Sequence, residues 1–242
     1  MKDAPDTPCV ADCGTPWKIR VPWAFSLAAQ LAGIEADVAM FLILKYFGQW
    51  LSGMAQEAML QSAGLLAILT ILILARPLGN LPGKLGLGWP RWCDFGLVAL
   101  GLCMAYNWNF VSTFLWEKLL NLCHLAVEQR QQMLVDCGRA SLKQFLAMVA
   151  LAGVLIPIVE EVTFRRVMYG VFRPLGILPA MFLTSLIFSA MHFFIHGFPA
   201  LFGFGLVLQW QYIHGRNLLI PILTHMIFNI IALTMAFSLG QG

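Results

Sequence analysis

Apolar residues run along this chain in long blocks separated by short polar or glycine-rich stretches. Ala58–Ala75 and Phe95–Trp116 contain no charged side chain, and Pro174–Gly215 and Asn217–Gly242 contain no Asp, Glu, Lys or Arg. About 20 consecutive apolar residues suffice for a helix to cross a bilayer. The blocks predict helices over Val21–Leu51, Ala58–Arg76, Asp94–Trp116, Leu142–Phe172, Leu178–Phe194, Phe198–His214 and Leu218–Leu239. The expected fold is all-α: a polytopic transmembrane bundle of about seven helices, with six to eight as the range.

The intervening segments refine this layout. Glu35, Asp37 and Lys45 interrupt the first block, which therefore either spans the membrane or lies on its surface. Gly79, Pro82, Gly83, Gly86, Gly88 and Pro90 mark Leu78–Trp92 as a loop. Lys118–Ser141 mixes polar residues with Leu, Val and Met, which predicts an amphipathic surface helix. The chain divides into a polar segment (1–20), N-terminal helices and loops (21–141), and a core (142–239).

Composition supports the membrane assignment. Hydrophobic residues make up 60% of the chain and charged residues 11%, against about 25% charged in soluble domains. The net charge of +3 is dispersed over loops, so no phosphate-binding stripe forms and no nucleic acid is expected as a partner. The six cysteines are scattered, and Cys9 with Cys13 falls short of a four-ligand zinc site. Pro5, Pro8 and Pro16 make the N-terminus unlike a cleaved signal peptide. With the N-terminus inside, the inner segments hold Lys2, Lys18, Arg20, Arg76, Lys84, Arg91, Arg165, Arg166, Arg173 and Arg216. The outer ones hold only Lys118, Arg130, Arg139 and Lys143. That asymmetry predicts a multi-pass protein of the cell (inner or plasma) membrane with a cytoplasmic N-terminus.

Against this apolar background a few polar groups stand out. Glu160 and Glu161 close an uncharged run, with Arg165 one turn later. Acids near a bilayer centre cost roughly 2.5–3.5 kcal/mol each, so they have partners or perform chemistry. Phe188 and His192 lie four apart on a later helix, and His225 and Asn229 four apart on the last. Residues at that spacing share a helix face. Counting back from Arg173 puts Glu160 about 20 Å into the bundle, with His192 about 21 Å along its helix and His225 about 13 Å from Arg216. The three can meet at intermediate depth.

Chemically, a carboxylate beside an imidazole can deprotonate a water. An imidazole with an amide one turn away can donate to a developing oxyanion. Arg165 can neutralise Glu161 and leave Glu160 as the free base. Each group taken alone has a plainer reading: an ion pair or transport-pathway acid for the glutamates, packing for Phe188, a hydrogen-bonded interior position for His192 and interhelical hydrogen bonding for Asn229. Asp94, Asn107 and Asn109 read as helix-end or interhelical polar groups, His196 and His214 as interfacial. Trp89, Trp92, Trp116, Trp210 and Tyr212 read as belt residues.

Glu160-Glu161-x-x-x-Arg165, Phe188-x-x-x-His192 and His225-x-x-x-Asn229, in this order on successive apolar helices, resemble the EExxxR, FxxxH and HxxxN motifs of a known family. These belong to the CAAX protease and bacteriocin-processing (Abi) family of glutamic intramembrane proteases. The resemblance covers roughly Leu142–Leu239. It implies that Glu160 is the base acting with His192 on the attacking water, and that His225 and Asn229 form the oxyanion hole. Glu161, Arg165 and Phe188 would be supporting residues. One departure is Arg166, where the family usually has glycine. The implied function is intramembrane hydrolysis of a peptide bond without a cofactor. The expected partners are a membrane-anchored or leader-bearing peptide or protein substrate and the lipid bilayer. The alternatives are a zinc-dependent intramembrane metalloprotease using the glutamate and both histidines, and a non-catalytic membrane immunity or transport protein.

Overall fold

The computed structural model describes residues 23–47, 63, 66, 87–125, 132–192 and 194–240. Among them the chain forms seven helices and no strand: α1 (Trp23–Phe47), α2 (Trp92–Leu122), α3 (Gln132–Gly138), α4 (Leu142–Leu175), α5 (Ile177–Met191), α6 (Phe198–Gly215) and α7 (Leu219–Gly240). The helix predicted over Ala58–Arg76 lies almost wholly outside the described residues. Segments Leu27–Lys45, Trp92–Leu122, Leu142–Leu175 and Leu219–Gly240 are long and apolar enough to cross a membrane. Among the described residues many large apolar side chains face outward, with Phe110, Leu122 and Leu178 each more than 70% exposed. The polar residues Glu161, Arg165, Thr184, Ser185, Ser189, Gln209, Gln211 and Thr224 are fully buried. Such an inverted distribution suits a bundle whose solvent is lipid.

Two boundaries differ from the sequence expectation. Lys118–Ser141 is not one surface helix. Its first residues extend α2 to Leu122, and α3 forms separately and docks on α7. There the buried Cys137 thiol donates to the Leu233 carbonyl at 3.4 Å. At the other end of α2, Arg91 and Asp94 form a capping box, so Asp94 is a helix-end residue.

Helix α6 is the hub, packing on α2, α5 and α7. Its contact with α2 is close because glycine stands on both sides. A Cβ on Gly203 would strike the Trp108 ring, and one on Gly101 would strike the Gln211 amide. Gln211 uses that proximity to donate to Leu97 O at 2.7 Å and Thr224 Oγ1 at 2.9 Å, joining α2, α6 and α7. Tyr212, expected in an interfacial belt, is instead in the core and meets Tyr169 edge-on.

Helix α4 is continuous but irregular. Its turns widen to π geometry over Val149–Leu155 and again over Val162–Met168, with Ile156–Glu161 regular between them. Just past the first widened stretch the Ile156 N–H bonds Leu151 O rather than Ala152 O. The next residue, Pro157, has no N–H at all. The carbonyl of Ala152 is thereby left without a partner in its own helix. Isolated π turns of this kind occur preferentially at functional sites.

Candidate active site

Glu160 and Glu161 end the regular stretch of α4, and successive helix positions send them in different directions. Glu161 enters the core and is fully buried, as is Arg165, whose Nε donates to Glu161 Oε2 at 2.8 Å. Two charges are tolerable in such a place only as a pair. The Arg165 guanidinium also stacks over the Phe188 ring, 4.9 Å from its centroid, an attraction that strengthens away from water.

The second oxygen of Glu161 meets His225. His225 Nδ1 lies 2.9 Å from Glu161 Oε1. An ion-paired carboxylate only accepts, so the imidazole donates from Nδ1. That bond aims Nε2 at Glu160, 3.6 Å from its Oε2. His225 comes from α7, 64 positions away in sequence, and is buried.

His192 reaches Glu160 from the other side. Helix α5 stops at Met191, short of the predicted Phe194, so His192 caps the helix instead of lying within it. Its Nδ1 is 2.8 Å from the Phe188 carbonyl oxygen and donates to it, since a carbonyl can only accept. Its Nε2 is therefore turned towards Glu160, 4.0 Å from Oε1. Each oxygen of Glu160 faces the Nε2 of one imidazole, and neither gap is a direct hydrogen bond. Separations of this size accommodate a bridging water.

Phe188 is fully buried beneath these groups. Its ring meets Phe164 edge-on at 5.1 Å, His192 at 4.8 Å and His225 at 6.1 Å between centroids. Asn229 donates from Nδ2 to the orphaned Ala152 carbonyl at 2.9 Å. One of its amide hydrogens is thus committed to α4, and the other is not.

These residues surround a cavity of about 370 Å³ whose lining includes Glu160, Phe188, His192, His225, Asn229 and Ala152. Its other wall comes from α2 and the α5–α6 loop: Asn109, Thr113, Phe194, His196 and Gly197. Trp116 Nε1 donates to Ile195 O at 3.0 Å and Trp108 Nε1 to Pro199 O at 2.8 Å, and Glu117 pairs with His196 at 3.4 Å. Sequence reading placed Trp116 and His196 at the interface; here they anchor the loop that follows His192. His214, by contrast, is exposed, and among the described residues it bonds only its own helix, at Trp210 O. Among the described residues, no group of three His, Cys, Asp or Glu side chains is arranged to hold a metal ion.

Comparison with known proteins agrees with the motif reading. Residues 142–231 match the family described as type II CAAX prenyl endopeptidase Rce1-like. A curated relative, the membrane-embedded CAAX protease MroQ of Staphylococcus aureus (strain USA300), is 30% identical over 92 residues, covering 35% of this chain and 36% of the relative. The match thus spans about a third of that protein's length. No solved structure matches the chain. Over this segment the chain is similar to the CAAX protease and bacteriocin-processing family.

Proposed function

We propose that this protein is an intramembrane endopeptidase in which Glu160 and His192 activate a water. The observation that carries this reading is the 4.0 Å gap between Glu160 Oε1 and His192 Nε2, beside a cavity large enough for a peptide segment. Because His192 Nδ1 is committed to Phe188 O, its Nε2 can accept one hydrogen of a water while Glu160 takes the other as a proton. The water oxygen then attacks the peptide carbonyl carbon and the C=O π electrons move onto oxygen. His225 Nε2 and the second amide hydrogen of Asn229 are the donors for that oxyanion. With Nδ1 already donating to Glu161, His225 fills this role in its imidazolium form. Glu160 passes its proton to the departing nitrogen as the C–N bond breaks, which regenerates the carboxylate. Glu161 and Arg165 orient His225 and do not touch substrate.

The substrate class we favour is a membrane-anchored or leader-bearing peptide cut near its hydrophobic segment, with the catalytic core in 142–239 and the N-terminus in the cytoplasm. A reporter fused to the C-terminus and found in the cytoplasm removes that orientation. The activity is tested by cleavage of membrane-anchored reporter peptides by purified wild type and Glu160→Gln, each with and without a strong zinc chelator. Cleavage that survives the chelator and disappears in Glu160→Gln supports the glutamate mechanism. Loss of cleavage with the chelator makes the imidazoles metal ligands. Full biological function from a Glu160→Gln, His192→Ala protein points to a non-catalytic role.

A further inference from the structure

The α2 wall of the cavity carries two polar side chains that the motifs do not include. Most polar groups in this part of α2 are committed. Asn107 donates to Cys103 O at 2.8 Å, Ser112 donates to Asn109 O at 3.3 Å, Trp108 holds the first turn of α6 and Trp116 holds the α5–α6 loop. Among the described residues, the Asn109 amide and the Thr113 hydroxyl have no protein partner. Both are half-buried, and both line the cavity that contains Glu160. Uncommitted polar groups inside a lipid-solvated bundle are expensive and mark functional positions.

Their spacing and chemistry point to one occupant. Four residues of helix rise about 6 Å, and two residues of extended chain about 6.6–6.8 Å. An amide and a hydroxyl each offer a donor and an acceptor, the complement of backbone N–H and C=O groups. A peptide entering an apolar cavity must have those backbone groups satisfied. We propose that Asn109 and Thr113 are positioning residues that hydrogen-bond alternate backbone units of a peptide bound extended along α2, presenting its scissile bond to Glu160. The assignment rests on the peptidase reading. It lies outside the segment matched by the family, so it is a contribution of this chain's own N-terminal half.

The test separates binding from turnover. The probe is a fluorescein-labelled apolar decapeptide, added to Glu160→Gln protein in phosphatidylcholine vesicles and followed by anisotropy. Adding Asn109→Leu with Thr113→Val should weaken binding about tenfold with the thermal midpoint unchanged. N-methylation along the peptide should reveal two sensitive amides two residues apart, and that sensitivity should vanish in the double variant. Equal affinity of the two proteins, methylation effects that persist in the double variant, or no saturable binding overturns the assignment. Cleavage by protein with Glu160 intact is scored separately. Wall-dependent binding without cleavage sinks the peptidase reading alone.

Discussion

Asn229 Nδ2 donates to the carbonyl oxygen of Ala152 at 2.9 Å, and Pro157 is the reason that carbonyl is available. The bond replaces a missing rung in α4 with an amide from α7. Removing it in Asn229→Ala leaves a buried carbonyl unpaired, at an expected loss of about 1–3 kcal/mol. Pro157→Ala supplies the missing backbone N–H, so in the Asn229→Ala background it should recover part of that loss. Thermal unfolding of the wild type, both single variants and the double variant in one detergent measures the coupling. Strict additivity would show that the two features are independent.

The two adjacent glutamates should respond in opposite ways to the same substitution. Glu161→Gln leaves Arg165 as a buried charge without its counter-ion, which typically destabilises by about 3–5 kcal/mol. Glu160 has no direct hydrogen-bonded partner and borders the cavity. Glu160→Gln should therefore leave the unfolding midpoint almost unchanged. Peptide cleavage should fall at least about 100-fold, the lower end of what a general base contributes. A large stability loss in Glu160→Gln would make that residue structural.

The convergence of Glu160, His192 and His225 on one cavity was legible because each motif pairs residues four apart on an apolar helix, and that spacing selects one face. What surrounds them was not. The Ala152 carbonyl in the first π stretch of α4 is met by an amide 77 positions away, a relationship no local pattern carries. His192 was expected within its helix because the apolar run continues through Phe193 and Phe194, yet the helix ends at Met191. Trp116 has the composition of a belt residue; its partner, Ile195, is 79 positions distant. Asn109 read as a helix-end or interhelical polar group because nothing in sequence says that it faces a cavity.

Phe188 offers a test of how much of the site is packing. Its ring supports the Arg165 guanidinium, Phe164 and both imidazoles while fully buried. Phe188→Ala should cost about 3–5 kcal/mol through lost contacts and the cavity left behind. Phe188→Leu keeps most of the volume and should cost less, but it removes the aromatic face under Arg165, worth about 0.5–2 kcal/mol. Chemical denaturation of the three proteins ranks them. Leucine restoring full stability would show that the guanidinium draws nothing from the ring.

The α5–α6 loop gives the last prediction. His192 caps α5 at the start of that loop, and Trp116 holds the loop by one indole N–H to Ile195 O at 3.0 Å. Trp116→Phe retains an aromatic ring and deletes only the donor. The expected stability cost is that of one hydrogen bond, about 0.5–1.5 kcal/mol. The effect on turnover should be larger in proportion, because Glu160 and His192 are set only 4.0 Å apart and a shift of about 1 Å from the productive geometry can cost about 100-fold in rate. Cleavage rate and unfolding midpoint measured on the same preparation separate the two effects. A slower turnover with a nearly unchanged midpoint, together with faster amide exchange in the loop, identifies Trp116 as a residue that positions His192. Unchanged turnover assigns it to the fold alone.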